Sequence, residues 1–204
     1  YLPVLDEILE QQEIQTEQVL GLVNVPLEFV VGTSTRGRTY SFAANFMPIL
    51  ETGTEFSTKW ANLADAQVEE GIRDPIIAYE FMNRYYVVEG NKRVSVLKYF
   101  KADSVVANVT RKIPKLTEDE DIKIYYEFMK FYEATGLNTV EFTRLGYANK
   151  LIDYIGAETP WNDRTREDFR GVHFYFSRAY KQCGGNHLPI TIGDALTAFL
   201  KVYS

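Results

Sequence analysis

Tyr85-Tyr86-Val87-Val88-Glu89-Gly90-Asn91-Lys92-Arg93-Val94-Ser95-Val96-Leu97 is the stretch on which the fold turns. Its first four residues are aromatic or β-branched, which predicts a buried strand. Gly90 then permits a sharp turn and close approach of a ligand to the backbone. Val94, Leu97 and Phe100 recur at helical spacing, so a helix starts just after the glycine. A helix N-terminus offers unpaired N–H groups and a partial positive charge, and this one adds Lys92 and Arg93. That combination favours a bound phosphate or carboxylate. The plainer alternative is a strand–helix turn whose two cations sit in water.

The flanks extend this unit. Gly71-Ile72-Arg73-Asp74-Pro75-Ile76 precedes a short strand through Ala78, Tyr79, Phe81 and Met82. Asn83-Arg84 reads as the tight turn into Tyr85. Downstream, the helix ends near Phe100-Lys101-Ala102 and Ser104 to Thr110 reads as another strand. Gly21-Leu22-Val23-Asn24-Val25-Pro26-Leu27 supplies an earlier strand. This order of helix, Gly-x-x-x-Pro-Ile segment, hairpin, Gly-x-x-Arg turn, helix and strand resembles the ParB/sulfiredoxin-like family over roughly residues 20–112. Over its full length the chain also resembles a region that precedes a Bmp-type solute-binding domain in some bacterial proteins.

The resemblance implies a small α+β mixed-sheet domain with a phosphate cradle at Gly90, Lys92 and Arg93. These match the glycine and two basic residues of the ParB-type Gly-Glu-Arg-Arg turn. Asn91 departs from the pattern: ParB-type chains carry a glutamate there, and sulfiredoxins their reactive cysteine. Sulfiredoxin chemistry needs a thiolate nucleophile, so Asn91 excludes it at this turn. The Glu-Asn-x-x-Arg helix motif that ParB proteins use around a nucleotide has no clear equivalent. The resemblance thus implies binding of a nucleotide, with or without Mg, more readily than its hydrolysis. Glu89 is the one acid within the turn and the candidate for any acid–base role.

Composition bounds the remaining readings. A chain of 204 residues with 46% hydrophobic and 14% aromatic content is long and apolar enough to fold around a core. No apolar run reaches the roughly 18 residues of a membrane span. One cysteine, Cys183, cannot form an internal disulfide, and a reducing cytoplasm is the simplest setting. The net charge is −6. Residues 1–112 hold 11 basic and 15 acidic residues, and residues 113–204 hold 11 and 13. Neither half has the basic excess of a domain that grips DNA through many phosphates. DNA stays open as a weaker partner, because local arrangement sets the field.

The chain divides into residues 1–16 as an N-terminal helix, 17–113 as the mixed-sheet domain and 114–204 as a helical domain packed on it. Gly32-Thr33-Ser34-Thr35-Arg36-Gly37-Arg38-Thr39 is a polar loop. Arg36 and Arg38 make it an anion-binding candidate beside the Gly90 turn, since arginine forks match phosphate oxygens; a solvated loop is the alternative. Phe42 to Ile49 reads as a short helix and Trp60 to Glu70 as a longer one. In the back half, Thr117 to Glu120 reads as a capping box. Ile122, Tyr125, Tyr126, Met129 and Tyr132 follow as a core stripe. Further helices run from Glu141 to Ile155, from Asn162-Asp163 to Gly184-Gly185 and from Ile192 to Tyr203. Thr143 to Ile155 is a poor DNA-recognition helix, lacking a scaffold helix and short turn before it. His173 reads as a hydrogen-bonded core or boundary histidine, and His187 lies in a turn.

Three functions compete. The first is a nucleotide- or phosphate-binding regulatory module without turnover, open to association with DNA. The second is a phosphoryl-transfer enzyme or nuclease on the same fold, which would require positioned carboxylates. The third is a protein-interaction domain without a ligand.

Overall fold

The computed structural model describes residues 1–49, 51–156 and 161–203. They form two compact units, Tyr1–Lys115 and Leu116–Ser204. The first contains α1 (Leu5–Leu9), β1 (Ile14–Pro26), β2 (Val30–Thr33), α2 (Glu55–Glu69), β3 (Ile76–Phe81), β4 (Arg84–Glu89), α3 (Asn91–Tyr99) and β5 (Ser104–Pro114). Its five strands make one mixed sheet in the order β1-β5-β3-β4-β2. β1 and β5 are antiparallel, β3 and β4 form an antiparallel hairpin, and β3–β5 and β2–β4 are parallel pairs. This is the α+β mixed sheet anticipated from the sequence, with the helical region following it.

Strand β4 shows how the pattern sets the layers. Tyr85 and Val87 enter the main core with Val30, Ile76, Ala78, Val94 and Leu97. Tyr86 points the other way and packs with Leu5 of α1 and Phe81. Alternation along a strand sends successive side chains to opposite faces. The hairpin turn lies at Met82 and Asn83, both with positive φ (52° and 56°), as a type I′ turn requires. Glu80 Oε1 accepts from the Asn83 N–H at 2.7 Å, and Glu80 Oε2 accepts from Arg111 Nε. Glu80 is 0% and Arg111 2% exposed, and they face each other across the β3–β5 register. Losing one partner of such a buried pair costs about 3–5 kcal/mol.

Several expected boundaries move. Residues 1–16 are not one helix, because α1 stops at Leu9 and Ile14 already pairs with Pro114 in the sheet. Phe42 to Ile49 is not helical either. Phe46 has φ 65°, the Met47 N–H is taken by Asn45 Oδ1, and Phe42 bridges to Pro48. Phe42 and Phe46 are both buried, so their four-residue spacing imitated a helical face. α2 starts at Glu55, before Trp60, because Thr54 Oγ1 accepts from the Ser57 N–H and caps it. Phe100 is 41% exposed and lies outside the core that Val94 and Leu97 enter.

The second unit contains α4 (Glu120–Thr135), α5 (Tyr147–Ile155), α6 (Asp163–Gln182) and α7 (Ile192–Tyr203). Asp119 is the N-cap of α4 in place of the expected Thr117 box; its Oδ1 accepts from the Asp121 and Ile122 N–H groups. Tyr125, Phe128 and Phe131 bury the inward face of α4. α5 starts at Tyr147 and not at Glu141, since Gly146 with φ 83° breaks the chain there. Asp194 is 1% exposed and accepts from the Thr143 N–H and, at 2.6 Å, from Thr143 Oγ1. Gly193 admits the close approach of Glu141, whose carbonyl oxygen would lie 2.2 Å from an added Cβ. His173 is half-buried at the core boundary, stacks on Phe169, and its Nε2 has no hydrogen-bond partner among the described residues. Burial holds its pKa below the ordinary histidine value. No described helix is long and apolar enough to cross a membrane.

Candidate functional site

The turn between β4 and α3 is built around Gly90, which has φ 103°. Side chains other than glycine rarely adopt that conformation. A Cβ added there would also lie 2.6 Å from Ile76 Cγ2, so the turn sits directly on the strand start that follows Pro75. α3 begins without a side-chain cap. By helix geometry its first N–H groups, from Asn91 to Arg93, lack intrahelical acceptors. The remainder of α3 is anchored by Val94, Ser95 and Leu97, all buried, and Trp60 Nε1 donates to Ser95 Oγ at 2.9 Å. That bond fixes α2 beside α3.

A cleft of about 340 Å³ opens against this helix start. Glu89, Gly90, Asn91, Lys92 and Arg93 line one side. α2 contributes Lys59 and Asn62, and Phe42, Phe56 and Leu63 form an apolar wall. Arg38 reaches the same cleft. Its loop is held to β4 where Thr33 Oγ1 donates to the Val87 carbonyl at 3.1 Å and the Ser34 N–H donates to the same oxygen at 2.9 Å. The polar loop and the Gly90 turn are thus neighbours.

The four cations of the cleft are not equally available. Arg93 Nη1 donates to the carbonyls of Asp74 and Pro75, and its Nη2 lies 3.9 Å from Glu89 Oε1. It clasps the Gly71–Ile76 segment to the helix start. Lys59 is paired with Glu55, whose pKa is lowered chiefly by that hydrogen bond. Lys92 lies 5.2 Å from the centroid of the Phe56 ring, a cation–π contact. Neither Lys92 nor Arg38 forms a salt bridge with another described residue. Asn91 is 5% exposed, and its Oδ1 has no hydrogen-bond partner.

Of the residues proposed from sequence, Glu89, Gly90, Asn91, Lys92, Arg93 and Arg38 line one cleft, and Arg36 does not. Arg36 Nε donates instead to Glu7, which raises the guanidinium pKa above its ordinary value. Lys59, Asn62 and the apolar wall went unread. Phe56 and Leu63 are apolar residues at i and i+7 on one helix face, but that pairing is invisible when the helix is started at Trp60. A magnesium ion accompanying a nucleotide takes oxygen ligands, commonly one or two carboxylates. Among the described residues no group of three or more His, Cys, Asp or Glu could hold a metal. The cleft's one lining carboxylate, Glu89, is directed to Arg93. These residues do not fit a resident magnesium site.

The order of elements around this turn, hairpin to Gly90 turn to helix to strand, defines a small α+β mixed-sheet domain followed by a helical region. No protein-family model matches the chain, and no curated protein matches it in sequence. Among solved structures it is similar to sulfiredoxin from Arabidopsis thaliana, at 18% identity over 43% of this chain and 82% of that one, with a TM-score of 0.31. It is also similar to the C-terminally truncated chromosome-partitioning protein ParB from Caulobacter crescentus, determined with CTP-gamma-S. There the identity is 13% over 88% of this chain and 98% of that one, with a TM-score of 0.32.

Proposed function

We propose that the cleft at Gly90 binds a nucleotide or a related phosphate-bearing ligand, and that the chain acts as a ligand-binding regulatory module without turnover. One observation carries the reading: an uncapped helix start, Lys92 and Arg38 meet an aromatic wall in a single cleft. The helix start and cations suit phosphate oxygens. Phe56 and Leu63, both half-buried at the cleft, offer an apolar surface for a planar ring. The volume lies within the roughly 300–1,000 Å³ of small-molecule sites. A regulatory role is favoured over phosphoryl transfer because Glu89 is tied to Arg93 and Asn91 cannot act as a general base near neutral pH. A small ligand is favoured over duplex DNA because residues 1–112 carry more acidic than basic side chains, 15 against 11.

The test is calorimetric titration of the chain with ATP, GTP, CTP and pyrophosphate, alongside the Arg38→Gln/Lys92→Gln variant. Saturable binding to the wild type, weakened at least about tenfold in the variant, is the expected result for lost charge-assisted contacts. Absence of binding to all four ligands would remove the proposal. Sustained phosphate release by the wild type that vanishes in the variant would replace the regulatory reading with an enzymatic one.

A further inference from the structure

Resting on that binding function, we propose that the cleft takes its ligand as the free polyphosphate and not as the magnesium complex. The lining cations are Arg38, Lys59, Lys92 and Arg93, and the lining acid is Glu89. Glu55 must be counted as well, because it pairs with Lys59 and also feels Lys92. Four cations less two acids leave an excess of two positive charges at a cleft in a chain of net charge −6. Polyphosphates commonly bring a divalent cation to offset their charge, and proteins hold it partly through carboxylates. Here Asn91 occupies the helix start where such an acid would stand closest to the phosphates. Its side chain is 5% exposed, lines the cleft and leaves Oδ1 without a donor. An amide brings no negative charge with which to attract the metal. Magnesium cancels two of the ligand's charges and weakens its attraction to Arg38 and Lys92, with no carboxylate free to compensate.

The experiment titrates ATP and pyrophosphate into the full chain by calorimetry, once with excess EDTA and once with excess magnesium, at matched ionic strength so that screening is equal. Tighter binding in EDTA, by about fivefold or more, is expected for both ligands. In the Arg38→Gln/Lys92→Gln variant the EDTA affinity should fall more than the magnesium affinity, bringing the ratio toward one. The Asn91→Asp variant should reverse the preference, because it puts a carboxylate beside the phosphates. Equal or tighter binding by the wild type in magnesium overturns the free-polyphosphate proposal while leaving the binding function standing. Binding under neither condition overturns both.

Discussion

Arg36 and Arg38 lie on an exposed turn whose three-residue 3₁₀ segment, Arg36–Arg38, ends at the buried Thr39, whereas Lys92 and Arg93 lie on the first turn of a helix anchored by three buried side chains. In each pair one cation is engaged by the protein itself. Arg36 is held by Glu7, and Arg93 by the carbonyls of Asp74 and Pro75. The other member of each pair, Arg38 or Lys92, lines the cleft without a salt bridge among the described residues. The difference teaches that proximity in sequence does not assign a cation its role. What assigns it is whether a neighbouring oxygen has already taken its hydrogen-bond donors.

Gly90→Val is the change that should break the comparison most completely. It combines a positive φ that a β-branched residue resists with a collision against Ile76. Together these should destabilise the sheet unit by about 2–6 kcal/mol, the sum of backbone strain and overpacking. Urea denaturation would measure the loss; an unchanged midpoint would mean that the turn is not the constrained element described. Arg93→Ala comes next. Its carbonyl bonds belong to the fold, so it should lower stability by roughly 1–2 kcal/mol as well as weaken ligand binding. An effect on affinity with none on stability would show that the clasp on Asp74 and Pro75 carries no weight.

Lys92→Ala sharpens the contrast from the other side. Its contact with the Phe56 ring, between two half-buried side chains, is worth only about 0.5–2 kcal/mol. Thermal unfolding should therefore change little while calorimetric affinity falls about tenfold, as for a lost charge-assisted contact. A larger loss of stability than of affinity would assign Lys92 to the fold and not to the ligand.

Much of this site was legible because its signals are local. Gly90 followed by two cations, after a run of β-branched and aromatic residues, marks a strand, a turn and a helix start without any distant contact. The bounds of α7, Ile192–Tyr203, were equally readable from one apolar face. What was hidden depends on pairings across the chain. β2 is a four-residue strand whose partner β4 begins at Arg84, so its end read as part of a polar loop. The pairing of Arg36 with Glu7 joins residues 29 positions apart, and no spacing rule announces it. Glu80 and Arg111 stand 31 positions apart in sequence, and only the β3–β5 register brings them together and buries them. Phe42 and Phe46 misled for the opposite reason, since a folded-back loop can bury residues at helical spacing.

The central claim is that the cleft, and not the surrounding positive charge, selects the ligand. It is tested most directly by titrating pyrophosphate into Arg38→Gln and Arg36→Gln side by side. Both substitutions remove one positive charge, two residues apart. The account predicts about a tenfold loss of affinity for Arg38→Gln and wild-type affinity for Arg36→Gln, with unfolding midpoints unchanged in both. Equal losses in the two variants, or none in either, would contradict it.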